Sequence, residues 1–512
     1  MATTATGEFL RDVLTARVYD VAVETPLQGA ALLSGRVRNR VLLKREDLQP
    51  VHSFKVRGAY NKMVHLGAGE RARGVVCASA GNHAQGVALA ASRLQCPATI
   101  VMPTTTPPVK VDAVRAYGDH VQVVLHGDTF ADALAHAKGI ERDRQLTFVH
   151  PYDDPHVIAG QGTIAMEIVR QHPDPIHAVF VAVGGGGMIA GIGTYLKLVR
   201  PEVRVVAVQT VDSDSMAQSL QAGQPVALDD VGLFCDGTAV KRVGDETLRL
   251  ARRCIDEVVY VTTDQVCAAI KDVFLDTRSI LEPSGAMSIA GAKAYLQRCD
   301  LQGQTVVCVA CGANMNFDRL RFVVDRAELG QEREALLVVR LPPGRTLTDL
   351  AAVLPAHLNV TECNYNASCV GVFLGVSVVD ATQTGALRDL IEANGFPTVD
   401  VTGDDLAKNH LRYMVGGGPS DDDAHRTQQV CRVETAQRPG AIRHLLLRVL
   451  PGRSITLLHY RNHGGDVARI MIGAPPPHQQ QPSLYDTLSA QAGYRVVSDA
   501  DNAALHILLT RT

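Results

Sequence analysis

The sequence predicts an α/β fold in which a long region of parallel sheets is followed by two ferredoxin-like βαββαβ repeats. From about residue 40 to 320, β-branched apolar runs alternate with longer Ala-rich segments, the pattern of strands buried on both faces and covered by helices. After Glu332 the order becomes strand, turn, helix, strand, and it occurs twice, with Tyr365 and Tyr460 at matched points 95 residues apart. Two copies with matched turns read as a duplication.

Taken in order, the strand candidates of the first region are VLLKRED from Val41, GVVCASA from Gly74, ATIVMP from Ala98, VQVVLHG from Val121, AVFVAVGGGG from Ala178, VRVVAVQT from Val203 and TVVCVACGAN from Thr305. Between them, Ala84 to Leu94 and Asp128 to Lys138 have helical length and composition. The repeats begin with EALLVVRLPPG at Glu334 and QQVCRVETAQRPG at Gln428, each followed by a helix, two strands, a second helix and a closing strand. GGGPSDDDAH, after Val415, reads as the linker between them.

A length of 512 residues allows roughly three domains. Hydrophobic residues at 46% and charged residues at 20% are ordinary for a folded chain. A net charge of -3, aromatics at 4% and no Trp offer neither a phosphate-tracking basic face nor a stacking platform, so nucleic acid is not an expected partner. There is no basic n-region followed by an apolar run at the N-terminus, and no apolar stretch of the ~18 residues a membrane helix needs. Eleven cysteines, scattered singly except Cys308 and Cys311, suit a reducing cytoplasm.

Ligands on parallel sheets bind beyond the carboxyl ends of the strands, and there the sequence places Gly, Ser, Asn and Cys. Lys55 follows Pro50 and Ser53, both helix-start residues. A cation in a first helical turn opposes the helix dipole by ~0.3 to 1 kcal/mol, so either Lys55 is a solvated lysine or its amine has a lowered pKa and reaches a ligand. SAGNHAQG, Ser79 to Gly86, is either an ordinary strand-to-helix loop capped by Ser or Asn or an anion site built from backbone N–H groups. VAVGGGGMIAG, Val181 to Gly191, leaves no side chain to bar a phosphate from the backbone. Its G-x-G-x-x-A match at Gly185, Gly187 and Ala190 raises a dinucleotide site, but the next strand ends at Gln209 where such a site wants an acid, and Asp212 lies beyond. The CxxC of Cys308 and Cys311 could be redox active or half a metal cage. No second CxxC or His pair completes a cage, so no metal is expected and the two are assigned to a strand end, Cys308 in the core and Cys311 at the binding edge.

With SFK, SAGNHAQG, GGGG and CGAN in that order, the chain resembles the fold-type II pyridoxal-phosphate enzymes, and more narrowly the biosynthetic threonine dehydratases (threonine ammonia-lyases). The likeness extends through VIAGQGT at Val157, GLFCDGTAVKR at Gly232, EPSGA at Glu282 and RYMVGG at Arg412. It implies a catalytic domain of two parallel-sheet α/β subdomains over 1–330 and ACT-like regulatory repeats over 334–411 and 428–508. It also implies pyridoxal 5'-phosphate as cofactor, L-threonine as substrate with L-serine as a second candidate, isoleucine as inhibitor with valine as a further effector, and a cytoplasmic homotetramer.

Residue by residue, the resemblance makes Lys55 the Schiff-base lysine and gives Asn82 the ring hydroxyl of the cofactor. Gly184, Gly185, Gly186, Gly187 and Met188 would cradle its phosphate, and Cys311 would face the pyridine nitrogen where many members carry Ser. The loop of Ser79, Ala80, Gly81, Asn82 and His83 would hold the substrate carboxylate. Gln209 departs from an acidic residue common at the matching position, so no cation is expected there from the resemblance. The implied reaction uses the freed Lys55 amine to remove the Cα proton, expels the β-hydroxyl, and ends in 2-oxobutanoate and ammonia. Two rival readings are a β-replacement synthase on the same scaffold and a non-catalytic amino-acid sensor; the duplicated C-terminal region speaks against the first and Lys55 against the second.

Overall fold

The computed structural model describes residues 2–345 and, beyond them, 347–355, 358, 360–365, 371–413, 429–436, 444–451, 453, 457–461, 467–477, 481–498 and 502; the glycine-rich linker expected after Val415 lies outside these. The chain divides into two compact units, Met1–Ala327 and Glu328–Thr512.

In the first unit ten strands follow one another: β1 (Leu27–Gly29), β2 (Arg40–Arg45), β3 (Val75–Ala78), β4 (Ala98–Met102), β5 (Val121–Leu125), β6 (Thr147–Phe148), β7 (Ala178–Ala182), β8 (Arg204–Thr210), β9 (Glu257–Val261) and β10 (Thr305–Ala310). They form a six-stranded sheet of order β1-β2-β10-β7-β8-β9 and a four-stranded sheet of order β5-β4-β3-β6. Every pairing is parallel except that of β1 with β2. The continuous Val, Ile and Ala runs of β3, β4 and β7 are buried along their whole length, because helices cover both faces of such sheets. β5 departs from that expectation: as an edge strand it is only partly covered. β1, β6 and β9 are absent from the strands read in the sequence; β1 and β6 have three and two residues, too few to show a pattern.

The helix expected at Ala84 to Leu94 runs Asn82–Leu94. The one expected from Asp128 runs Phe130–Arg144 behind a capping box of Thr129 and Asp132, in which two otherwise orphaned N–H groups are satisfied reciprocally.

The helix Lys55–Val64 is fixed from below by a fully buried ion-pair cluster. Arg57 donates to Glu46 Oε2 at 2.7 Å and to Glu167 Oε1 at 2.6 Å, and Lys44 Nζ reaches Glu167 Oε2 at 2.5 Å. None of these four side chains is exposed. Breaking a pair of this kind typically costs about 3 to 5 kcal/mol, since it strands a buried charge.

In the second unit the strands are β11 (Glu334–Arg340), β12 (Val360–Tyr365), β13 (Gly371–Ser377), β14 (Thr398–Asp400), β15 (Gln429–Ala436), β16 (Leu457–Arg461), β17 (Val467–Ala474) and β18 (Arg495–Ser498). The sheets have orders β12-β13-β11-β14 and β16-β17-β15-β18, the same ferredoxin-like order in each. Tyr365 pairs with Val372, itself opposite Val339; Tyr460 pairs with Ile470, itself opposite Val433. Both tyrosines therefore lie on the edge strand of their sheet, beside the third strand of their repeat. Between Asp400 and the linker the chain adds the short helix Asp405–Asn409 and a turn at Leu411–Tyr413, which the sequence pattern did not show.

Candidate active site

Lys55 is the first residue of its helix, as the sequence suggested, but Ser53 does not cap it. The cap position is Phe54, without a side-chain hydrogen bond. Ser53 instead bridges Gly312 across an isolated strand-like contact, its hydroxyl buried without a partner. Phe54 N–H donates to Cys311 O at 3.1 Å and Ala313 N–H to His52 O at 2.9 Å. These bonds staple the Lys55 segment to the loop after β10, so residues more than 250 positions apart share one site. Lys55 Nζ donates to Pro151 O at 2.8 Å. Burial pulls its pKa down to about 8, against the opposing effect of Cys311 and Glu282.

The loop Ser79–His83 follows β3 and opens the helix Asn82–Leu94. Gly81 occupies the cap position with no side-chain bond, so the reading of Ser or Asn as an ordinary cap does not hold. Gly81 N–H is taken by Ser79 Oγ at 3.3 Å and Gln85 N–H by Gly81 O at 3.2 Å. The N–H groups of Asn82, His83 and Ala84, ahead of the first intrahelical bond, point out of the helix end, where an anion is favoured. Asn82 donates to Glu282 Oε1 at 2.6 Å and accepts from Asn314 Nδ2 at 2.6 Å. One amide hydrogen of Asn82 keeps no acceptor among the described residues.

His83 is buried, with Nε2 2.9 Å from Val149 O. A carbonyl only accepts, so the ring proton is on Nε2 and Nδ1 is a bare, unpartnered nitrogen. Burial lowers the His83 pKa to about 3, keeping the ring neutral.

Gly184 to Met188 join β7 to the helix Gly187–Val199, and all five are buried. Gly186 has φ +96, a conformation glycine adopts without strain. A Cβ on Gly185 would lie 2.3 Å from the Tyr152 ring, and one on Gly187 2.9 Å from Tyr152 Cα. Among the described residues nothing accepts from the N–H groups of Gly184, Gly185, Gly186 and Gly187. Buried N–H groups left unpaired are costly, and a phosphate at this helix end would satisfy them. The loop thus has the chemistry a pyridoxal-phosphate cradle needs.

Cys308 lies in the core of β10 and Cys311 just past its end, both buried. The Cys311 thiol donates to Ser284 O at 3.4 Å, and burial, with Glu282 adding, pushes its pKa well up. It is a neutral group at physiological pH. At the end of β8, Gln209 donates to Val183 O at 3.3 Å and Ser213 O at 3.2 Å and accepts from Ala217 N–H at 2.9 Å.

Glu282 and Asn314, which lie inside quoted motifs, and Tyr152 and the Pro151 carbonyl were given no role in the sequence. Burial raises the Glu282 pKa to about 7, with the charge of Asp236 adding and the Asn82 hydrogen bond opposing. A glutamate opening a helix as E-P-S is an ordinary helix start; only its approach to Asn82, 200 positions away, makes it a site residue.

Residues 18–312 match the family model described as pyridoxal-phosphate dependent enzyme, and 424–509 match the C-terminal regulatory domain of threonine dehydratase. The chain is 52% identical over 511 residues to the biosynthetic L-threonine dehydratase of Burkholderia multivorans, covering 99% of this chain and 100% of that one. Among solved structures it resembles the processed form of threonine deaminase isoform 2 from Solanum lycopersicum, at 49% identity and a TM-score of 0.62 over 64% of this chain and 89% of that one. A second solved threonine deaminase, from T.th., matches at 34% identity and a TM-score of 0.56, over 60% of this chain and 98% of its own.

Proposed function

From the premise that the chain belongs to the pyridoxal-phosphate-dependent enzymes, as a biosynthetic threonine dehydratase with its C-terminal regulatory domain, we propose how its residues carry out the deamination of L-threonine to 2-oxobutanoate and ammonia. Pyridoxal phosphate, when bound, supplies an aldehyde for an amino group and a conjugated ring that takes up the Cα electrons. Lys55 anchors that aldehyde between turnovers, and its freed amine takes the proton from Cα. At a pKa of about 8 roughly a tenth of this amine is neutral at pH 7, where an ordinary lysine offers almost none. The N–H groups of Gly184 to Gly187 and the Met188 backbone hold the phosphate, and the free amide hydrogen of Asn82 is directed to the ring hydroxyl. In the loop Ser79, Ala80, Gly81, Asn82 and His83, the open N–H groups of Asn82 and His83 hold the substrate carboxylate, while Ser79 and Gly81 N–H are bonded within the fold.

Cys311, kept neutral because burial pushes its pKa well up, would partner the pyridine nitrogen by turning its S–H from Ser284 O; so weak a donor would leave that nitrogen largely unprotonated and would favour loss of the β-hydroxyl over reprotonation at Cα. The observation that carries this reading is the Lys55 amine, held in a desolvated place beside two sets of unpaired backbone N–H groups.

The effector assigned to the repeats is isoleucine, with valine as a second, and the assembly is a homotetramer. The support for an effector site is the matching regulatory domain at 424–509 and the shared strand order of the two repeats; the homotetramer rests on the family resemblance. A cytoplasmic location is assigned from the cysteine usage, eleven residues scattered singly except Cys308 and Cys311; among the described residues no helix is long and apolar enough to cross a membrane. Formation of 2-oxobutanoate from threonine alone, with and without isoleucine, tests the whole reading. Dependence on a second nucleophile would make the enzyme a synthase, and no product would make it a sensor.

A further inference from the structure

Between β6 and the helix Pro155–Gln171, four of five consecutive residues each tie down a different part of the site, and the fifth, His150, closes the turn on itself. Val149 donates to Val76 O in β3 at 2.9 Å, and its carbonyl faces His83 Nε2. His150 turns its ring back on its own chain, where Nδ1 accepts from the N–H of Asp153 at 2.7 Å and of Tyr152 at 3.3 Å. The Pro151 carbonyl takes the Lys55 amine at 2.8 Å. Tyr152 covers Gly185 and donates to Arg242 O at 3.0 Å. The Asp153 carboxylate accepts from the N–H groups of Asp245, Glu246 and Thr247 at 3.1, 3.0 and 3.1 Å, capping the helix whose Thr247 hydroxyl holds Gly185 O at 2.7 Å.

We propose that His150 is a positioning residue that closes this turn and thereby holds the Pro151 carbonyl as the docking acceptor for the free Lys55 amine. The proposal rests on Lys55 being the cofactor-bearing lysine. A lysine tip on its flexible four-carbon stem has to be kept beside Cα once the cofactor releases it. Proline is suited to the post, because its φ is fixed and it brings no N–H of its own. Two N–H groups aimed at Nδ1 put the His150 lone pair there and the ring proton on Nε2, and a second ring proton would collide with both donors. Burial lowers the His150 pKa to about 4, so the ring stays neutral.

The charged or titratable groups facing the Lys55 amine are Cys311 and Glu282 from the loop after β10 and the helix Pro283–Arg298, His83 from the helix Asn82–Leu94, and His150 itself. With both histidines neutral, the Pro151 carbonyl is the one hydrogen-bond acceptor the amine meets among the described residues.

The test compares His150→Leu, which removes the acceptor, with His150→Asn, whose Oδ1 can replace Nδ1. In the full chain freed of cofactor, the reactivity of Lys55 toward a limiting amine reagent is followed against pH by peptide mass spectrometry, with the other lysines as internal references. The carbonyl stabilises the charged amine, so in His150→Leu the Lys55 transition moves down by roughly half a pH unit or more, the worth of one hydrogen bond, and in His150→Asn it stays in place. With cofactor, His150→Leu lowers kcat for threonine by about fivefold with KM little changed, and His150→Asn restores it. A Lys55 transition unmoved in a folded His150→Leu protein overturns the proposal, as do equal shifts in both variants. Should His150→Leu fail to fold, His150→Gln sets its acceptor one bond further out and is read the same way. Borohydride reduction of the loaded wild type and peptide mapping decide the premise separately: cofactor on another lysine sinks the reading of Lys55 without touching the amine titration.

Discussion

A lysine that serves structure and one that serves chemistry respond oppositely to removal. The Lys55 amine is desolvated and titrates near 8 rather than 10.5, so folding disfavours its charged form. Below pH 8 that cost is present in full; between about 8 and 10.5 the folded amine is neutral while the unfolded one still binds a proton, and stability rises with pH. Lys55→Met should therefore abolish turnover yet stabilise the cofactor-free protein at pH 7 by about 1 to 3 kcal/mol. Urea titrations at several pH values should show the gain vanish above about pH 10.5; a destabilised mutant at pH 7 would mean the amine is well paired in the fold. Cys311 offers a second test at this scale. Cys311→Ser replaces one neutral donor by another and should keep most of the activity. Cys311→Asp sets a second carboxyl beside Glu282, already pushed to about 7, and would protonate the ring nitrogen, so its rate with threonine should fall at least about tenfold, a barrier of about 1.4 kcal/mol. Equal rates and identical absorbance spectra in the two variants would remove Cys311 from the mechanism.

At the level of elements, the phosphate cradle proposed at Gly184 to Met188 would depend on backbone shape more than on side chains. Gly186 at φ +96 is the pivot, and Gly186→Ala forces an L residue into a conformation costing about 1 to 2 kcal/mol. Cofactor affinity in that variant, measured by fluorescence titration, should fall about tenfold or more, while far-UV circular dichroism stays unchanged. Unaltered affinity would place the phosphate elsewhere. This loop was legible in advance because four glycines between a strand and a helix bring a bare backbone to a strand end, where an anion can approach it. So were seven of the ten strands of the first unit, Lys55 at a helix start, and the placing of Cys308 in the core and Cys311 at the edge. What could not be read was brought together by the fold. The His150–Asp153 turn resembles any loop until Pro151 is seen against Lys55 and Tyr152 against Gly185. Ser53 looked like a helix cap because local chemistry favours it, but the Gly312 bridge claimed its backbone first. Short β1 and β6 exist only through their partners, and no periodicity of two or three residues announces them.

For the molecule as a whole, the two units invite separation, and where the cut falls should matter more than how much is removed. The break between Ala327 and Glu328 leaves Leu329 with the second unit, where it packs in one apolar cluster with Leu336, Val338 and Phe373 of the first repeat and Val430 and Met471 of the second. Val401, Leu406, Ala407 and Leu411 of the segment that follows the first repeat complete the cluster, so the two repeats share one apolar layer with it. A chain ending at Ala327 keeps every residue assigned to the cofactor and substrate, and should deaminate threonine without inhibition by isoleucine. A longer chain ending at Tyr413 loses Val430 and Met471 and uncovers the part of the cluster they close, while Val401, Leu406, Ala407 and Leu411 stay in place; each of the two lost side chains is worth about 1.5 to 3 kcal/mol when buried. It should be the less soluble and less stable of the two, although it retains more of the protein. Thermal melts and 2-oxobutanoate assays on both truncations settle the matter. Isoleucine inhibition persisting in the Ala327 form would move the effector site into the first unit, and a Tyr413 form as stable as the full chain would show that the repeats do not depend on each other.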